Sequence, residues 1–170
     1  LVALMRNEGV RTIYIQKPYY MFYDNIVQYV GLAYNDNPEE ADVEIVTSPN
    51  NPDGSYRHPI SNANFVLYDC VYAWDMFNYN REYNPHTNEN DIVVFSASKS
   101  LGLAGARVGY GFCSNYIASI VIREINNSSL GPNAYGIEAT TRGYNKMSDG
   151  KVNKLKKINK DRHEFIDDLC

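Results

Sequence analysis

The sequence predicts an α/β domain built on a mainly parallel sheet with flanking helices, and three observations predict it. Short apolar runs rich in β-branched residues recur along the chain: VRTIYIQ (10–16), VEIVTSP (43–49), FVLYD (65–69) and DIVVFSAS (91–98). Their near-continuous apolar character fits strands buried on both faces. Segments of helical character are interspersed with them, which is the pattern that winds a parallel sheet.

Taken in order, LVALMRNEG (1–9) reads as the end of a helix stopped by Gly9, and VRTIYIQ follows as the first strand. KPYYMFYDNIVQYV is aromatic and turns at Pro18. The polar stretch NDNPEEAD leads into the second strand, which Pro49 closes, and NNPDG (50–54) is a turn by composition. A connection through Ser61 to Asn64 reaches the third strand, FVLYD. The Asn-rich stretch NYNREYNPHTNENDI reads as an exposed loop before the fourth strand. RVGYGFC (107–113) is expected to be a fifth, in which Gly109 and Gly111 mark a close approach of backbone or ligand. Ser114 then caps a helix carrying Ile117, Ile120, Val121 and Ile125 at helical spacing. INNSSLGPNAYG (125–136) has no period and reads as a loop. Beyond Lys151, the residues Val152, Leu155, Ile158, Ile166 and Leu169 fit a long amphipathic helix.

At 170 residues, 44% hydrophobic and 21% charged, the chain has the composition of a soluble globular protein with one core. No apolar run approaches the roughly 20 residues that span a bilayer. A formal charge of −4 argues against general affinity for nucleic acid. Six of the sixteen Lys and Arg residues fall between Lys151 and Arg162, where they fit the solvated face of a helix. Cys70, Cys113 and Cys170 are odd in number and widely spaced, which suits reduced thiols and a cytoplasmic setting. His58, His86 and His163 are isolated, so no metal site is expected. The chain opens on Leu1 rather than a methionine, and it is expected to be part of a larger protein.

The functional signal is where the polar residues fall. Asn51, Asp69 and the group Ser96, Ser98 and Lys99 each sit just past or at the end of an apolar strand. In open α/β sheets, ligands bind outside the carboxyl ends of the strands, so three strands deliver an amide, a carboxylate and an amine to one edge. Each residue has an ordinary reading alone: Asn51 as a turn former, Asp69 as a helix cap, Lys99 as a surface lysine, Arg107 as half of a salt bridge, and Tyr72 as one of fifteen tyrosines. Together they assemble one chemistry. A lysine near apolar walls becomes a nucleophile toward an aldehyde and forms a Schiff base. Pyridoxal 5′-phosphate (PLP) needs such a lysine, a carboxylate for its ring nitrogen, and phosphate donors such as serine hydroxyls and an arginine fork.

SPNNPDG (48–54), LYDCVY (67–72) and SASKSLGLAGARVGY (96–110) resemble the three successive motifs of fold-type I PLP-dependent aminotransferases. VTSPNNPDG followed by Arg57 is most similar to the branch containing alliinase and the plant tryptophan–pyruvate aminotransferases, over about residues 10 to 145. The resemblance implies that Lys99 carries the cofactor, that Asp69 pairs with its ring nitrogen, and that Asn51 and Tyr72 hydrogen-bond its ring oxygen. It also implies that Ser96, Ser98 and Arg107 hold the phosphate. Tyr20 of KPYY matches the aromatic that stacks on the ring, with Tyr19 beside it as the alternative. Lys99, Asp69 and Tyr72 are the catalytic set on this reading.

The implied reaction is transfer of an amino group from an L-amino acid, aromatic ones such as tryptophan included, to a 2-oxo acid. An alliinase-like carbon–sulfur lyase and a truncated non-catalytic relative are the alternatives. The alliinase branch has a G-H-x-G-S-R version of the lysine motif, whereas this chain has Gly102-Leu103-Ala104-Gly105-Ala106-Arg107, closer to the general aminotransferase pattern. The resemblance further implies a homodimer whose partner completes the phosphate site. Residues 1–150 are then part of the large cofactor domain, and 151–170 form a helix leading toward a small domain not contained in the chain.

Overall fold

The computed structural model describes residues 1–74 and 88–147, and beyond them 153–154, 157–158 and 160–161. Six strands form one sheet: β1 (Thr12–Ile15), β2 (Ala33–Tyr34), β3 (Val43–Thr47), β4 (Phe65–Asp69), β5 (Ile92–Ser96) and β6 (Gly109–Phe112). Their order is β2-β1-β3-β4-β5-β6, with every neighbour parallel except β6, which runs antiparallel to β5. Flanking them among the described residues are α1 (Val2–Glu8), α2 (Phe22–Val30), α3 (Ala97–Ser100), α4 (Asn115–Ser128) and α5 (Ala134–Lys146), and residues 153–154, 157–158 and 160–161 are helical as well.

All five residues of β3 are buried, and alternate side chains serve opposite faces. Val43 and Ile45 join a core with Ile13, Leu4, Val27 and Ile117, while Val46 packs with Val66, Tyr68, Cys70 and Val93 on the other side. Both faces are therefore covered, which explains the near-continuous apolar runs. Glu44 is the polar exception inside β3. Its carboxylate accepts the N–H groups of Ile60 and Ser61 at 3.0–3.2 Å and the Ser61 hydroxyl at 2.5 Å, so a buried charge is satisfied by the returning chain.

The glycines of β6 mark an approach of backbone. A Cβ on Gly111 would stand 2.6 Å from the Val93 carbonyl oxygen, and one on Gly109 would stand 2.8 Å from that of Phe95. The β5–β6 ladder closes only because neither residue has a side chain. Gly111→Ala is expected to cost about 1–3 kcal/mol, read as a lower midpoint in denaturant unfolding.

Three sequence expectations change. INNSSLGPNAYG is mostly helical: α4 runs on to Ser128, and α5 starts at Ala134 with Asn133 Oδ1 accepting from Gly136 N at 2.6 Å. The fourth strand ends at Ser96, where the chain turns into α3. KPYYMFYDNIVQYV contains α2, whose buried Tyr23 and Val27 are one turn apart. The stretch 75–87 and most of the expected C-terminal helix, with Val152, Leu155, Ile166 and Leu169, lie outside the described residues. Among the described residues no helix is long and apolar enough to cross a membrane, and no cluster of side chains could hold a metal ion. Cys70 is buried, Cys113 is half-buried, and both are free thiols.

Candidate active site

From β1 the chain passes to β2 on one side, then returns to β3 on the other, so the sheet reverses its winding between β1 and β3. A crevice opens at the carboxyl ends of strands at such a point. Tyr20 follows β1, Asn51 follows β3, Asp69 ends β4, and Ser96, Ser98 and Lys99 lie at the junction of β5 and α3. All of them line one cleft of about 390 Å³, together with Tyr72 and Arg107. Small-molecule sites fall in the range of roughly 300–1,000 Å³.

Register fixes the neighbours. Thr47 pairs with Asp69 across β3 and β4, and Asp69 pairs with Val94 across β4 and β5, so the three strand ends are level. Asp69 caps no helix; its Oδ1 accepts from Val71 N at 3.2 Å in a turn. Burial pushes its carboxyl above the ordinary carboxylate range, against the opposing hydrogen bonds from Tyr23 and Val71 N–H. The Lys99 ammonium is 5.6 Å from the centre of the Tyr72 ring, within reach of a cation–π contact.

Two loops are stapled together beside this cleft. Arg57, with a side chain only 10% exposed, donates to Gln16 O at 2.5 Å and pairs with Asp53 at 3.0 Å. Asn50 Nδ2 donates to Pro18 O at 3.0 Å and to Asp53 Oδ1 at 2.8 Å. The loop bearing Asn51 is thereby tied to the loop bearing Tyr20. Tyr19 turns away from the cleft, stacking on Tyr34 and donating to Asp24 at 2.8 Å, so of the two tyrosines Tyr20 is the one placed in the cleft.

The other wall is held by α5. Ser100 Oγ and Tyr144 Oη are 2.8 Å apart, and Asn133 Nδ2 donates to Ala106 O at 3.1 Å, so both ends of the segment between Lys99 and Arg107 are anchored. Arg107 is in no ion pair among the described residues; it donates to Ala104 O at 3.1 Å. Its backbone is left-handed, with φ 53° and ψ 42°, a conformation that costs a side-chain-bearing residue roughly 1–2 kcal/mol. Such strain concentrates where a side chain must be aimed. Arg107→Gly is expected to separate the two effects: it raises the unfolding midpoint modestly while weakening binding of a phosphate-bearing ligand about ten-fold or more, measured by titration.

Tyr23, Thr47, Val71 and Ala104 also line the cleft and were not expected from the sequence. Tyr23 Oη lies 2.5 Å from Asp69 Oδ2 and 2.7 Å from Thr47 Oγ1. Position was the available signal for two of them: Thr47 is the last residue of β3, and Tyr23 lies one turn beyond Tyr20, whose carbonyl accepts its N–H at 3.0 Å.

The sequence profile of the allinase family matches residues 7–147. Among curated relatives, alliin lyase 2 of Allium sativum is 36% identical over 102 residues, covering 59% of this chain and 20% of that protein. Tryptophan aminotransferase-related protein 2 of Arabidopsis thaliana is 34% identical over 120 residues, 68% of this chain and 23% of that protein. The chain thus spans about a fifth of the length of these relatives. A Methanococcus jannaschii structure described as similar in its active site to kynurenine aminotransferases superposes with a TM-score of 0.75 at 18% identity, covering 97% of this chain and 50% of that one. A PLP-bound candidate aminotransferase from Clostridium difficile gives 0.78 at 15% identity, covering 98% and 52%. These last two likenesses establish the fold. With its three ordered motifs, its sheet and its family profile in agreement, the chain belongs to the allinase family of fold-type I PLP-dependent proteins.

Proposed function

We propose that this chain is the cofactor-binding part of an aminotransferase that moves the amino group of an L-amino acid, aromatic ones such as tryptophan among them, to a 2-oxo acid. The observation that carries the reading is one cleft lined by an amine, a half-buried carboxylate, two serine hydroxyls, an arginine and an aromatic ring. Each complements one part of PLP: its aldehyde, ring nitrogen, phosphate and ring face. When bound, PLP supplies an electron sink for the charge left as a substrate's α-proton departs.

The chain's own residues do the rest. Lys99 Nζ would hold the cofactor through its aldehyde, and as a free amine it would take the proton from the substrate's α-carbon. Asp69 would face the ring nitrogen. Asn51 and Tyr72 would donate hydrogen bonds to the ring oxygen. Ser96, Ser98 and Arg107 grip the phosphate, with the guanidinium supplying paired N–H donors. Tyr20 offers its ring face to the cofactor. The proposal includes a cytoplasmic homodimer.

A second reading, a carbon–sulfur lyase, is favoured by the alliin lyases among the relatives. The Gly102–Arg107 segment, with neither histidine nor serine, favours transfer. Product analysis of the intact protein separates the two. A keto acid that forms only when a 2-oxo acid acceptor is present supports transfer. Pyruvate and ammonia released from a cysteine sulfoxide without any acceptor establish the lyase. Neither product from a protein with bound PLP identifies a non-catalytic relative.

A further inference from the structure

Each oxygen of Asp69 has its own protein donor: Val71 N–H on Oδ1 and the Tyr23 hydroxyl on Oδ2. A phenol has one proton to give. Because Tyr23 gives it to Asp69, its 2.7 Å contact with Thr47 has the threonine hydroxyl as donor. A directed chain therefore runs from Thr47 at the end of β3, through Tyr23 in the first turn of α2, to Asp69 at the end of β4.

Packing does not account for the hydroxyl. The Tyr23 ring belongs to the apolar core with Ile13, Val27 and Ile15, and a phenylalanine ring would fill the same space. The hydroxyl is instead aimed at the one carboxylate in the cleft. Resting on the PLP reading above, we propose that Tyr23 is a positioning residue for the cofactor ring: it fixes the rotation of the Asp69 carboxylate and keeps it ionised toward the ring nitrogen.

The electrostatics agree with the geometry. Burial favours a protonated Asp69, and the Tyr23 hydrogen bond works against that. Burial and the neighbouring Asp69 hold the phenol protonated well above its usual range, so it remains a donor. A protonated Asp69 would offer a protonated ring nitrogen no charge to pair with. A carboxylate stripped of its donor would be the stronger base and would draw that proton away from the ring.

The test compares two probes in the intact protein: PLP, and its 1-deaza analogue, in which a C–H replaces the ring nitrogen. Binding is read from the change in each probe's own absorption on titration with protein. The wild type is expected to prefer PLP. Tyr23→Phe should reduce that preference roughly ten-fold while leaving affinity for the analogue unchanged. Equal losses for both probes would assign Tyr23 to packing alone and overturn the proposal, as would no loss for either. If Tyr23→Phe fails to fold, judged by circular dichroism, Thr47→Val is measured in the same way. A smaller loss in the same direction supports the chain of donors, and an unchanged preference overturns it. A wild type that binds neither probe removes the PLP reading itself, an outcome distinct from a wild type that binds both equally.

Discussion

Lys99→Ala is expected to lower turnover by about 10³-fold or more and to end covalent capture of PLP by borohydride, because among the described residues no second lysine lines the cleft. The same substitution should change stability by less than about 0.5 kcal/mol. Lys99 is exposed, and its cation–π contact with Tyr72 is a surface one of small worth. A large kinetic effect with no loss of fold is what distinguishes a nucleophile from a surface lysine. Lys99→Arg sharpens the comparison, since it keeps the charge but its guanidinium stays protonated and cannot attack an aldehyde. Both variants should be equally inactive. Mass spectrometry of peptides from the borohydride-treated wild type should find the pyridoxyl group on Lys99, and finding it elsewhere would reject the assignment.

Asp69→Asn should lower turnover by about 10²-fold or more, because an amide cannot hold a proton on the ring nitrogen by charge. Its effect on folding has the opposite sign. Burial raises the Asp69 carboxyl above its ordinary range. A carboxyl raised on folding stabilises the folded state while it is protonated. That contribution is present below the ordinary carboxylate range and is lost as pH climbs through the raised value. Ionising Asp69 in the cofactor-free protein is therefore opposed by its burial. Asp69→Asn removes this dependence. Its thermal midpoint without cofactor should drop less than the wild type's between acidic and neutral solution. A wild type whose midpoint has the same pH dependence as the variant's would contradict the raised carboxyl.

How much could be read from the sequence depended on which residues carry the packing. β3, β4 and β5 were legible because Val, Ile and Phe fill both faces, so their runs are near-continuously apolar, with Glu44 the exception inside β3. α2 was hidden because apolar residues also lie on its exposed side: Met21, Phe22, Ile26 and Tyr29 blur the spacing of the buried pair Tyr23 and Val27. α5 was hidden for the opposite reason. It buries Gly136 and Thr140, so close backbone approach replaces large apolar side chains, and a Cβ on Gly136 would stand 2.5 Å from Ala106 O. The eight expected site residues share one cleft because strand ends are positions the chain cannot move without moving the sheet. Tyr23 escaped notice because one tyrosine among fifteen has no signature until its hydroxyl is seen against Asp69.

The ties from Arg57 and Asn50 across to Gln16 and Pro18 make the segments bearing Tyr20 and Asn51 a single inherited part. A chimera that imports a relative's loop over 50–57 keeps both ties only if it carries an amide at position 50 and a guanidinium at position 57, because the acceptors are the main-chain carbonyls of residues 16 and 18. The loop thus reads the main-chain path of residues 16–18 rather than their side chains, even though more than thirty residues of chain separate the two. Anyone redesigning this cleft for a different ring would need to exchange the two segments together.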